Sequence, residues 1–240
     1  MGNKTTRFVF LGILLTLSLA PGRPANAQST IANAPSSDVV ADKKVYLEFD
    51  YIANYAGYRE GGFQSYVPRA VVGVGHNMEV GANVVYTKGF GVPQPVEIQP
   101  NIKWRFFQSE AEGLAASVGC ILYAPITHRK GTDTFGLCYS VFSKRFGGSF
   151  GPRFTGGGYA LIERQANLGP RGGFIAAYEQ PLSQNVGFAM DWFSGENRFG
   201  YVTPGFSFAS KRRGTLFTGY TIGNHGRKNN AFFTYYGITF

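Results

Sequence analysis

Past Ala20 the chain has no stretch approaching the roughly 18 consecutive apolar residues that a transmembrane helix needs. That excludes a helical inner-membrane protein. It leaves open a membrane barrel, whose strands alternate and so show no long apolar run. Catalytic residue types are also scarce. The three histidines, His76, His128 and His225, fall in one predicted tight turn and two predicted loops. None shares a strand face with a serine, so the aligned nucleophile, base and orienting group of a barrel hydrolase cannot be assembled. No spacing of His, Cys, Asp and Glu matches a metal site, and no cofactor motif is present. The glycine-rich "GGGYALIER" (156–164) opens no helix, so it reads as a thin strand region rather than a phosphate cradle. Leu and Glu are few, which argues against a helical domain.

Acidic side chains are the minority, 14 against 23 Lys and Arg, for a net charge of +9. Much of the excess sits in "HRKG" from His128, "KRF" from Lys144 and "KRRG" from Lys211. These clusters read as solvated turns, with the loop cluster able to attract lipopolysaccharide phosphates. Nucleic acid is not an expected partner, because the N-terminus directs the chain out of the cytoplasm. Lys4 and Arg7 precede the apolar run "FVFLGILLTLSLA" (8–20), and Ala25-Asn26-Ala27 supplies a small-x-small cleavage site. Residues 1–27 are therefore expected to be a removed signal peptide. Residues 28–42, "QSTIANAPSSDVVAD", are small and polar and read as a flexible periplasmic extension.

From Lys43 onward strand signals recur. About twelve strands are expected, near 43–55, 64–75, 78–88, 95–107, 113–124, 132–143, 152–163, 170–181, 185–195, 199–209, 214–224 and 230–240. Tight connections such as "HNME" and "LSQN" alternate with longer ones, so one end of a barrel would carry turns and both termini, the other end loops. Pro68, Pro100, Pro170 and Pro204 recur at about 34 residues or twice that, and each is expected to mark a bulge or kink.

Within these segments one face is apolar. In "PVEIQPNIKWRFF" (95–107), Val96, Ile98, Ile102, Trp104 and Phe106 alternate with Glu97, Gln99, Asn101, Lys103 and Arg105. A soluble sheet buries the apolar set, and a membrane barrel turns it to lipid. The other face mixes charges with Gly, Ala, Ser and Thr, poor filler for a soluble core. A twelve-stranded interior is also too wide for such side chains to fill, so the apolar face is placed outward. The terminal "AFFTYYGITF" sets Phe232, Tyr236, Ile238 and Phe240 on one parity. Here the sequence resembles Gram-negative outer-membrane β-barrel proteins, whose last strand ends in an aromatic after alternating apolar residues. The resemblance covers the architecture of 43–240 and names no subfamily. It implies an all-β, transmembrane, antiparallel up-and-down barrel in the outer membrane, and a last strand read by the barrel assembly machinery. Outer-membrane lipid and lipopolysaccharide would surround it.

The inward parity nominates the pore lining: Glu48, Asp50, Arg69, Glu79, Glu97, Lys103, Arg105, Glu163, Arg171, Glu179 and Asp191. Opposite residues of an antiparallel pair have a nearly constant sum of position numbers. That arithmetic pairs Asp50 with Arg69, Glu79 with Lys103 and Glu163 with Arg171. Cys120 and Cys138 lie on one hairpin, but the apolar sets Leu114, Ala116, Val118, Leu122 and Phe135, Leu137, Tyr139, Val141 place Cys120 outward and Cys138 inward. A bridge would then need a bulge. The expected function is a narrow channel or uptake pore for small solutes with a charged lumen. An outer-membrane enzyme acting on lipid or lipopolysaccharide, and a structural barrel with a closed lumen, remain the alternatives.

Overall fold

The computed structural model describes residues 29–240 except 90–92, 131, 149, 164–168, 211–213, 227–229 and the side chain of Glu163. The expected signal peptide and the cluster beginning at Lys211 lie outside the described residues. Twelve strands follow in order: β1 (Val45–Asn54), β2 (Phe63–Gly75), β3 (Met78–Gly89), β4 (Glu97–Ser109), β5 (Leu114–Pro125), β6 (Phe135–Arg145), β7 (Arg153–Glu163), β8 (Gly172–Pro181), β9 (Val186–Phe193), β10 (Tyr201–Ala209), β11 (Gly214–Gly223) and β12 (Ala231–Thr239). Each pairs antiparallel with the next, and β12 returns to β1, so the sheet closes into a barrel. Closure leaves no unpaired edge, the condition for a sheet to sit in hydrocarbon. Among the described residues helix is confined to two 3-10 turns, Tyr58–Glu60 and Asn224–Gly226. No described helix is long and apolar enough to cross a membrane.

The strand bounds match the alternation to within a few residues. The prolines behave differently from expectation. Pairing skips two residues beside Pro68, Pro100 and Pro204, between Tyr66↔Tyr86 and Arg69↔Asn83, between Ile98↔Ala124 and Asn101↔Ile121, and between Val202↔Ile222 and Gly205↔Gly219, without a change of register. The missing N–H costs a ladder bond and nothing more. Pro170 lies in the turn before β8. The register shifts fall between Gly73 and Gly75 of β2 and between Arg105 and Phe107 of β4. The second leaves both Phe106 and Phe107 facing outward, 49% and 43% exposed.

The charged face of β3 and β4 lies inside. Val80, Val84, Tyr86, Ile102 and Trp104 are exposed on the outer wall, while Glu79, Asn83, Glu97, Gln99 and Lys103 are buried. On β6 the parity is inverted. Phe135, Leu137, Tyr139 and Val141 face the interior and are buried. They join Tyr123, Tyr159, Leu161, Ile175, Phe193 and Phe199 in an apolar cluster over one half of the lumen. The rule that the apolar set faces lipid fails here because the alternative set, Gly136, Cys138, Ser140 and Phe142, is itself apolar enough for the outer wall. With β6 turned over, Cys138 faces outward beside Cys120, directly opposite it, and the two form a disulfide with Cα atoms 4.1 Å apart. No bulge is needed.

Candidate functional site

Residues 29–40, expected as an extension outside the barrel, run inside it. Thr30 bridges Pro35, the Ile31 N–H donates to the Ala34 carbonyl at 2.8 Å, and the Ser36 N–H donates to the Ser29 carbonyl at 3.1 Å. The segment is thus a tight hairpin with Ala32 and Asn33 at its tip. Its small side chains suit it to a lumen already half filled by aromatics, and Ala34, Ser36 and Ser37 are 0% exposed. It leaves at the turn end, where Asp42 pairs with Gly73. A Cβ on Gly73 would lie 2.1 Å from the Ala41 carbonyl oxygen, so this passage requires glycine.

The inward charges grip the hairpin. Asp191 accepts the N–H groups of Ala32, Asn33 and Ala34 at 3.1, 2.6 and 2.6 Å. Glu79 accepts from the Ser29 hydroxyl and, at 2.6 Å, from the Val40 N–H. Lys103 pairs with Glu79 at 3.1 Å and donates to the Ser29 and Asp38 carbonyls, both at 2.7 Å. Arg69 binds Glu48 at 2.8 Å and Thr30 Oγ1 at 3.1 Å. Arg153 bridges Asp38 and Glu179. Burial opposes ionisation of Asp38, and the Arg153 guanidinium overrides it, holding the carboxyl below its ordinary value. Asp191, Glu79, Lys103, Arg69 and Arg153 are each paired or hydrogen-bonded to main chain, as the low dielectric demands.

Of the pairs expected from register, Glu79 with Lys103 forms. Asp50 stands opposite Val67, and Arg69 stands opposite Glu48, two residues away, because the first hairpin turns closer to β1 than residue 60. Arg171 stands two residues from the position opposite Glu163, its carbonyl accepting from the Leu161 N–H at 2.6 Å, and the Glu163 side chain, on which the expected pair depends, lies outside the described residues. Arg105 lies at the turn end and donates to Asn77 Oδ1 at 3.1 Å. Glu97 accepts from Gln99 Nε2 at 2.6 Å. Phe232, Tyr236, Ile238 and Phe240 share the outer face of β12, with Tyr236 and Phe240 exposed.

Above the hairpin tip, the loop end holds a cavity of about 800 Å³ with Ala32, Asn33 and Pro35 among its lining residues. Asp50, Arg69, Asn83 and Gln99 form a polar wall, and Tyr123, Phe193, Phe199 and Phe233 form an aromatic one. Arg198, from the β9–β10 connection, reaches in. Its guanidinium lies 5.2, 5.2 and 5.4 Å from the ring centroids of Tyr123, Phe135 and Phe199, and 3.5 Å from Glu97. Asp38, Arg153 and Arg198 were missed in sequence. Arg153 could have been found, since it stands on the inward parity of β7 opposite Glu179. Asp38 and Arg198 lie outside strands, where alternation says nothing.

The sequence matches no protein-family model and no curated protein. Similarity appears among solved structures. One is a chain from a study of the in-meso crystallization of membrane proteins, with a TM-score of 0.53 and 12% identity over 82% of this chain and 84% of that one. Another is the COG4313 outer membrane channel from Pseudomonas putida F1, with a TM-score of 0.50 and 10% identity over 85% of this chain and 98% of that one. The chain is a twelve-stranded closed antiparallel barrel, the fold it shares with this outer-membrane channel.

Proposed function

We propose that the protein is an outer-membrane channel for small solutes, held closed at rest by its own N-terminal hairpin. The observation that carries this reading is the placement of 29–40 inside the barrel, gripped through main-chain groups by Asp191, Glu79 and Lys103. These are polar contacts that water can replace when the hairpin moves. An apolar core offers no such exchange. The loop-end cavity gives a solute a place to enter, and the inward charges left when the hairpin withdraws would set ion preference. Export by a cleaved signal peptide over 1–27 and assembly through the last strand belong to the same reading. The apolar cluster over half the lumen favours the rival, a structural barrel that never opens. Planar-bilayer recordings decide between them. A variant lacking 28–40 that still shows heat-modifiable migration is expected to conduct steadily where the full mature chain is mostly closed. Absence of conductance in both supports the closed structural barrel.

A further inference from the structure

The cavity at the loop end gathers carboxyl groups in a protein of net charge +9. Asp50, Glu60 and Glu97 line it, Arg69 is committed to Glu48, and Arg198 is the remaining cation among the described residues of its lining. Asp50 Oδ1 is buried and has no hydrogen-bond partner. Its register neighbours are Val67 on β2 and Tyr235 on β12, and Glu48 stands two residues away on the same inward face of β1.

Arg198 shows what the aromatic wall can hold. A guanidinium within 5.4 Å of three ring centroids, with a carboxylate at 3.5 Å, uses the contacts by which proteins bind organic cations. Here the cation is the protein's own, on a connecting loop, with a side chain still 45% exposed. The rings do not depend on Arg198 for their order. Tyr123 and Phe135 stack with centroids 4.6 Å apart on adjacent strands, and Phe199 is held by the buried Asn197, whose Oδ1 accepts the Phe199 N–H at 3.0 Å. The cage would therefore persist if the guanidinium swung out.

We propose that this cage is a binding site for small organic cations, amines or guanidines carrying an apolar group, and that Arg198 occupies it in place of the ligand. Tyr123, Phe135, Phe199 and Glu97 take the charge. Transport of such a cation rests on the channel reading, whereas binding does not.

The test uses the full mature chain in non-ionic detergent at low salt, with benzylammonium, benzyl alcohol and benzoate as size-matched probes in titration calorimetry. Benzylammonium is expected to bind ahead of the other two. Arg198→Ala is expected to tighten it about tenfold, the scale of releasing a competing cation–π contact. Arg198→Lys, which keeps a tethered cation, is expected to leave affinity near that of the parent. Arg198→Ala combined with Glu97→Gln is expected to cancel the gain. Heat-modifiable migration verifies that each variant is folded. Equal or tighter binding of benzoate overturns the proposal, as does Arg198→Ala that leaves benzylammonium affinity unchanged or lowers it. Liposome flux separates the two readings: binding without flux keeps the cation site and removes the channel, and flux without cation preference does the reverse.

Discussion

Asp191 is the point at which the closed lumen is most open to attack. One of its oxygens, Oδ2, accepts three backbone N–H groups at the hairpin tip. Substitution by Asn keeps size and shape but removes the charge, so three charge-assisted bonds become neutral ones, a loss of about 1 kcal/mol each and roughly 2–3 kcal/mol together. If the hairpin exchanges between docked and withdrawn forms, that shifts the balance about 30- to 150-fold towards withdrawal. A thiol in the hairpin reads the balance. Ser37 is 0% exposed and its hydroxyl makes no hydrogen bond. Cys120 and Cys138 are bonded to each other, so Ser37→Cys introduces a single reactive thiol. Modification by a membrane-impermeant maleimide is expected to be slow in the Ser37→Cys parent and faster by that factor when Asp191→Asn is added. If opening is faster than labelling, the rate tracks the withdrawn fraction. Equal rates in the two proteins would refute the idea that Asp191 holds a displaceable hairpin.

Three further outcomes follow from the same contacts. Gly73→Val drives a side chain into the Ala41 carbonyl at the turn end and is expected to raise Ser37→Cys labelling with little change in heat-modifiable migration, because the strand pairing of β2 is left intact. The Asp38 carboxyl is held below its ordinary value, so its grip on Arg153 is fully present above about pH 4 and is lost as pH falls through the depressed value. The part of the labelling rate that depends on Asp38, read with an acid-tolerant thiol reagent as the difference between the Ser37→Cys protein and the same protein with Asp38→Asn, should therefore be constant above about pH 5 and vanish in stronger acid. Deleting Phe240 is expected to lower the folded protein found in the outer membrane while refolding into detergent changes little. Equal losses in the two assays would remove its role as an assembly signal.

The strands were legible because lipid imposes period-two alternation on the outer wall whatever the interior does. The interior was legible only in part. Glu79 with Lys103 came directly from register, and Asp50 with Arg69 missed by two positions because a loop's midpoint in sequence is not its midpoint in space. β6 was read inside out: both of its faces are apolar, so parity alone carries no sign. The larger omission was the segment 28–42. Small polar residues describe a disordered tail and a close-packed hairpin equally well, and what separates them is the partner. Asp191, Glu79 and Lys103 were each visible as inward charges, yet nothing in their spacing shows that they face backbone groups rather than water. Arg69→Ala and Lys103→Ala, which a water-filled lumen would turn into changes of ion preference, instead remove contacts to Thr30, Ser29 and Asp38 and should first loosen the hairpin.

The most direct test of a lumen closed by its own N-terminus is single-channel recording of the mature chain beside the variant lacking 28–40, in one lipid and one salt. The account predicts rare, brief openings for the first and steady conductance for the second, with Asp191→Asn between them. A deletion variant that folds, inserts and stays silent would contradict it.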